Sequence, residues 1–208
     1  MLTNNIFLKN FKKRKKKNKI KKYFTDLLNN QPKLFETFKA SYKYSYSKKS
    51  ILKYKKFKNI RIIAMGGSAL GSQAIYDFLK SRIKKKITYV NNLNSNSEYF
   101  DNKNINLNLI ISKSGNTLET ITNANILIKG REKNIIITEN KDSYLTNLAS
   151  KLKAEIFEHK NYVGGRYSVL SEAGMLPAEL MNLNEHKFKQ FDNLIKNKTF
   201  VNNLVNNV

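Results

Sequence analysis

The sequence predicts an α/β domain built on a doubly wound, flavodoxin-like sheet of five parallel strands. Three observations carry this reading. After residue 58, five short apolar runs, mostly rich in Ile and Val, recur with gaps of about 15 to 23 residues, enough for crossover helices between parallel strands. The runs are near-continuous rather than alternating, as in strands buried on both faces. Six of the eight glycines fall just after a run, at the carboxyl end of a strand, where open α/β sheets place their ligands.

The predicted strands are Ile60–Met65, Ile87–Val90, Leu107–Ile111, Ile135–Thr138 and Ala154–Phe157. Leu70, Ala74, Phe78 and the neighbouring Leu79 mark a helix after the first strand. Leu118, Ile121, Ala124 and Ile128 mark a second, and Leu145, Leu148 and Leu152 a third. The gap Asn91–Asn106 carries a weaker pattern, read as a short helix. Beyond Ser168 the chain reads as helix, over Leu170–Leu183 and again from Glu185. Ahead of the strands, apolar residues from Ile20 to Phe38 suit a helix packed on another element, interrupted at Pro32. Ser41–Lys58 reads as an irregular connection or a short strand.

Composition narrows the function classes. The chain has 208 residues, 40% of them hydrophobic, so it can form a core. With no cysteine, disulfides, thiolate zinc sites and thiol nucleophiles are excluded. The two histidines, His159 and His186, do not form a metal-ligand pattern, and no cofactor is expected. No membrane span and no secretory signal are evident, which points to a cytoplasmic protein. The net charge of +24 is concentrated in residues 1–58, which hold 19 of the 39 basic residues against two acids. Lys9–Lys22 would grip a nucleic-acid backbone or an anionic membrane without specificity. The abundance of Lys and Asn throughout favours compositional bias, and neither partner is expected.

Three loops carry chemistry. Gly66-Gly67-Ser68-Ala69-Leu70-Gly71 follows the first strand. Its glycines let the backbone turn and approach a ligand, Ser68 offers a hydroxyl and an N-cap, and Gly71 allows close packing on the sheet. Neither G-x-G-x-x-G nor a P-loop lysine is present, which disfavours a nucleotide. Ser112-Lys113-Ser114-Gly115-Asn116-Thr117-Leu118-Glu119 follows the third strand. It sets hydroxyls and a lysine before a helix N-terminus, a pattern for holding phosphate, with ordinary helix capping as the alternative. Asn116 and Glu119 stand at capping-box spacing. Val163-Gly164-Gly165-Arg166-Tyr167-Ser168 follows the fifth strand and brings a permanently charged fork to the same edge, either for an oxyanion or phosphate or in a surface ion pair.

Together the loops resemble the glucose-6-phosphate isomerase family, which carries Gly-Gly-Ser-x-x-Gly, then Ser-Lys-(Ser/Thr)-x-x-Thr followed closely by Glu, then Val-Gly-Gly-Arg-(Tyr/Phe)-Ser. The three motifs stand here in that order at 66–71, 112–119 and 163–168. Ala69 departs from the Asp of many members. The resemblance implies a sugar-isomerase (SIS) domain whose sugar-phosphate site uses Gly67, Ser68, Ser112, Lys113, Ser114 and Thr117, with Arg166 as the catalytic arginine near a developing enediolate. It implies the substrates glucose 6-phosphate and fructose 6-phosphate, a reversible aldose–ketose isomerisation in glycolysis and gluconeogenesis, and a homodimer in the complete enzyme. The family's glutamate base, ring-opening histidine and C-terminal lysine lie beyond the third motif, where only about 40 residues follow here. Glu172, Glu179, Glu185 and His186 match none of those sites.

The expected organisation is a Lys-rich extension over 1–58, a first SIS domain over 59–182, and a helix over 183–208 leading toward a second SIS domain absent from the chain. On this reading the chain is an N-terminal part of the enzyme and is inactive, or nearly so, alone. The alternatives are a free-standing SIS module that senses a phosphosugar without isomerising it, and a basic nucleic-acid-binding protein. The Gly-Gly-Arg loop favours the isomerase, because a simple phosphosugar binder needs only the hydroxyl loop.

Overall fold

The computed structural model describes residues 18–93, 107–189 and 195–206. The weak segment 91–106 falls mostly outside them, as do residues 1–17 of the basic run. By contacts the chain divides into two compact units, Lys43–Glu185 and a second made of Met1–Tyr42 with His186–Val208.

The larger unit contains the expected sheet. Strands β1 (Asn59–Ala64), β2 (Lys86–Val90), β3 (Leu107–Ile111), β4 (Lys133–Thr138) and β5 (Glu155–Glu158) are all parallel, in the order β2-β1-β3-β4-β5. The winding direction reverses at β1, opening a crevice outside the carboxyl ends of β1 and β3, the usual ligand position of such sheets. Helix α3 (Gly67–Leu79) and helix α6 (Glu172–Leu180) cover one face. Helix α4 (Leu118–Leu127) and helix α5 (Tyr144–Leu152) cover the other. Ile60, Ile62, Leu109, Ile135 and Ile137 point to the first layer, and Ile63, Ile110 and Ile136 to the second. This two-sided burial is why the strands read as unbroken apolar runs.

One row breaks the apolar pattern. Arg61, Asn108 and Asn134 are neighbours in register and buried on the α4 side. Arg61 donates to Asn108 Oδ1 (3.4 Å) and to the Leu127 carbonyl (3.1 Å), and Asn108 Nδ2 donates to Asn134 Oδ1 (3.0 Å). Each of the three side chains finds at least one polar partner, as buried polar residues generally do.

Two expectations are corrected. The stripe Leu70, Ala74 and Phe78 on α3 faces outward, Phe78 being 87% exposed, whereas Ala69, Ser72 and Ile75 are buried. The first turns of α3 present small residues inward, and α3 packs closely there: a Cβ on Gly71 would lie 2.8 Å from Val169 Cβ. Gly71 therefore serves the contact with Val169, in the segment after β5, rather than a contact with the sheet. Ser41–Lys58 is also more ordered than expected. It forms helix α2 (Lys48–Leu52) under a Ser47/Ser50 capping box and buries Tyr46, Ile51 and Tyr54 in the core.

In the smaller unit, α1 (Asn18–Asn29) stops ahead of Pro32, which precedes a 3₁₀ turn over Lys33–Phe38. Phe24, Leu28, Phe35 and Phe38 line an apolar groove of about 290 Å³ with Phe200 and Leu204 of α7 (Lys198–Asn206). None of the helices among the described residues is long and apolar enough to cross a membrane.

Candidate functional site

All three loops emerge at the carboxyl edge of the sheet. The first begins with Gly66 at φ +51°, a left-handed turn that glycine adopts without strain, and α3 starts at Gly67. Gly66 occupies the N-cap position, so Ser68 is one residue inside the helix and does not cap it. The Ser68 hydroxyl makes no hydrogen bond among the described residues. Gly67 is required by packing: a Cβ there would stand 2.2 Å from the Gly165 carbonyl oxygen and 2.8 Å from Arg166 N. Ser168 fastens the same junction, its hydroxyl lying 3.1 Å from the Gly67 carbonyl and 2.8 Å from that of Gly165. The first and third loops are therefore in backbone contact.

The second loop leaves β3 at Ser112, whose N–H donates to the Ile137 carbonyl (3.0 Å), and turns at Gly115 with φ +71°. Thr117 stands at the N-cap of α4, yet no side chain caps that helix. The Thr117 hydroxyl instead hydrogen-bonds that of buried Ser112, at 2.8 Å. Asn116 does not form a capping box with Glu119; its Oδ1 accepts from Tyr144 N (2.8 Å), at the start of α5. Ordinary capping thus fails to explain the hydroxyls, and the positive end of α4 remains available to an anion. Exposed Ser114 accepts from Asn116 N at 3.2 Å.

Lys113 bends toward the third loop. Its Nζ donates to the Asn161 carbonyl (2.7 Å) and lies 3.6 Å from a Glu139 carboxylate oxygen. Lys141 also pairs with Glu139, and this hydrogen bond holds the Glu139 carboxyl below the usual range. Arg166 is exposed in the 3₁₀ segment Gly165–Leu170 and forms no ion pair among the described residues, so the surface-pair alternative is set aside. His159, just past β5, is fully buried. Its Nδ1 is 3.2 Å from the Lys160 carbonyl, and Nε2 has no partner among the described residues. Burial pushes its pKa down, so the ring is neutral near pH 7.

The expected site residues Gly67, Ser68, Ser112, Lys113, Ser114, Thr117 and Arg166 thus all lie in the segments that follow β1, β3 and β5, at one edge of the sheet: Gly67 and Ser68 in the first turn of α3, Arg166 in a 3₁₀ turn and the others in the loop before α4. Glu139 and His159 were missed. Glu139 directly follows the predicted fourth strand and His159 stands two residues past the predicted fifth, so the positional argument that singled out the glycine loops would have found them had it been applied to every strand end. Glu172, Glu179 and Glu185 stand outside the three loops and have structural roles. Buried Glu172 accepts from Ser45 N (2.9 Å), Glu179 pairs with Lys55 (2.6 Å) and Glu185 with Lys48 (3.4 Å). Among the described residues no group of His, Asp and Glu is arranged to hold a metal.

A 2-1-3-4-5 parallel sheet with a hydroxyl-rich helix start at its switch point defines a doubly wound α/β protein of the flavodoxin-like type. A solved structure, a hypothetical protein from Thermus thermophilus, shares the fold at a TM-score of 0.65 and 18% identity. The match covers 81% of this chain and 45% of that one. The phosphoglucose isomerase family model matches residues 16–206, and the chain belongs to that family. Among similar relatives, the glucose-6-phosphate isomerase of Borreliella afzelii (strain PKo) is 36% identical over 140 residues, 59% of this chain and 26% of that protein. The glucose-6-phosphate isomerase of Methanocaldococcus jannaschii is 33% identical over 162 residues, 71% of this chain and 40% of that protein. The chain thus spans between about a quarter and two fifths of the length of these relatives.

Proposed function

We propose that this chain forms the phosphosugar-binding part of a cytoplasmic glucose-6-phosphate isomerase, a homodimer when complete, that interconverts glucose 6-phosphate and fructose 6-phosphate. Residues 59–182 correspond on this reading to the first SIS domain. The observation that carries it is the start of α4, a helix end without a side-chain cap, flanked by the paired Ser112 and Thr117 hydroxyls. A phosphate dianion there meets free backbone N–H groups and a favourable dipole. Ser112 and Thr117 share one hydroxyl proton between them, so the other is free to donate to the ligand. Ser68 and Ser114 add hydroxyls, Gly67 lets the first loop close against the third, and Lys113 supplies charge.

Isomerisation moves a proton between C1 and C2 through a cis-enediolate. Arg166, a guanidinium without an ion-pair partner among the described residues, is assigned to the developing oxyanion. The three loops hold no carboxylate assigned as the base that takes this proton. General base catalysis contributes about 10²–10⁴-fold, so the isolated chain binds a phosphosugar but turns it over poorly.

Titration of fructose 6-phosphate and inorganic phosphate into wild type, Ser112→Ala and Thr117→Ala tests the site. A lost hydrogen bond to a charged group is worth about 1.5–3 kcal/mol, or roughly ten- to a hundred-fold in affinity. Arg166→Ala should leave phosphate affinity nearly unchanged and lower turnover in the completed enzyme. Unaltered binding in both hydroxyl variants, or robust isomerisation by residues 1–208 alone, would refute the assignment.

A further inference from the structure

The opposite edge of the sheet carries a second feature. Between the segment that enters β1, the turn from α4 to β4 and the turn from α5 to β5 lies a polar cavity of about 510 Å³. Lys53, Lys56, Arg131, Lys133 and Lys153 line it, with Glu132 as the only lining carboxylate. All five cationic side chains belong to residues at least partly open to solvent. Lys53 is paired with Glu155 at 2.7 Å, whereas Lys56, Arg131, Lys133 and Lys153 make no ion pair among the described residues.

An ordinary role for such cations is to offset the negative ends of helices. Here α4 and α5 both end near the cavity, and each contributes about half a negative charge. Those two ends, Glu132 and the Glu155 carboxylate that holds Lys53 together offset about three of the five positive charges. An excess of roughly two remains around a concave, polar space. The backbone around the cavity is also shaped. Gly130 turns at φ +81° and Lys153 at φ +50°, which ends α5 and turns the chain toward β5. Asn134 on the lining is held from behind by the buried Arg61–Asn108–Asn134 row and donates to the Glu132 carbonyl (3.1 Å).

We propose that this cavity is a second anion site, distinct from the loop at α4, that takes a small molecule bearing two phosphate groups. The volume lies within the range of small-molecule pockets and leaves room for an organic body beyond the phosphates. Concavity favours a compact ligand over the extended backbone of a nucleic acid. The site stands on cations that the catalytic reading does not use, so it is independent of that reading.

The test is titration of the full chain with inorganic pyrophosphate at 0.15 M ionic strength, where the Debye length is about 8 Å, followed by amide NMR shifts. We expect saturable shifts at Gly130, Arg131 and Lys153, separable from any response at Gly115. Replacing Arg131→Gln and Lys133→Gln together should weaken the Gly130 response at least ten-fold and leave that at Gly115 unchanged. Ser112→Ala should do the reverse. The melting temperature of the double variant shows that the fold is retained, and the single variants Arg131→Gln and Lys133→Gln serve if it is not. Shifts confined to residues 112–119, or a Gly130 response indifferent to these substitutions, would overturn the proposal. So would a 20-base-pair duplex that displaces pyrophosphate and binds more tightly, which would make the surface a nucleic-acid contact.

Discussion

Gly115→Ala is the substitution that most directly questions the architecture of the loop proposed to hold phosphate. Gly115 has φ +71°, and an added Cβ would lie 2.2 Å from Ser143 Oγ, 2.5 Å from Ser143 Cβ and 2.9 Å from Thr138 Oγ1. The left-handed backbone alone costs about 1–2 kcal/mol for a residue with a Cβ. Overpacking adds about 1–3 kcal/mol. Relief by moving Ser143 is not free, because Ser143 caps α5 by accepting from Thr146 N, and a lost cap costs typically about 1 kcal/mol. Leu145 N also donates to the Gly115 carbonyl at 3.1 Å. The backbone and packing costs together give an expected loss of about 2–5 kcal/mol, a large share of the stability of an ordinary domain.

Urea unfolding measures this loss, and a double-mutant cycle with Ser143→Gly identifies its source. Ser to Gly at an N-cap costs only a few tenths of a kcal/mol and removes both of the shortest contacts. The double variant should therefore recover at least about 1 kcal/mol relative to the sum of the singles. Its phosphate affinity should recover with its stability, since Ser112 and Thr117 ride on the same turn. A loss below about 1 kcal/mol for Gly115→Ala, or no coupling to Ser143→Gly, would refute the packing argument.

Three further outcomes are expected. Gly67→Ala should separate the first and third loops, since its Cβ would meet the Gly165 carbonyl at 2.2 Å, and should destabilise by about 1–3 kcal/mol in urea unfolding. Lowering the pH through the ordinary histidine value of 6.5 should reduce stability, because unfolded His159 takes up a proton there while the buried ring resists it; His159→Leu should flatten that dependence in denaturant midpoints. Between pH 8 and 10.5 the slope has the same sign for Lys85: burial, aided by the charge of Lys55, depresses its pKa to about 8, so the folded form releases its proton first and stability rises with pH, an effect Lys85→Met should remove.

The sheet was legible because parallel strands buried on both faces leave an unmistakable apolar run, and the return of each crossover imposes a minimum gap. The loop positions were legible for a related reason: a strand that ends at a glycine or a serine before a helix can place that residue only at the carboxyl edge. Which side of α3 would be buried was not legible. Leu70, Ala74 and Phe78 give the stronger apolar stripe, but the inner face belongs to Ala69, Ser72 and Ile75, with Gly71 allowing the close approach to Val169. Nor was the place of Arg61 within β1, which depends on Asn108 and Asn134 standing in register beside it.

The choice of candidate site residues was thus made by the sequence itself, since hydroxyls, glycines and an arginine after strand ends define their own chemistry and position along the chain. Their division of labour was decided only in three dimensions. Whether Thr117 caps a helix or pairs with Ser112, whether Lys113 stands free or leans on Asn161 and Glu139, and whether Gly67 is needed for a turn or for contact with Gly165 all depend on partners 5 to 98 residues away along the chain. The five cations of the opposite edge are scattered from Lys53 to Lys153, and no local pattern joins them. Hydrogen bonds and packing act across space, so such pairings have no signature in sequence spacing until the strands that carry them are placed side by side.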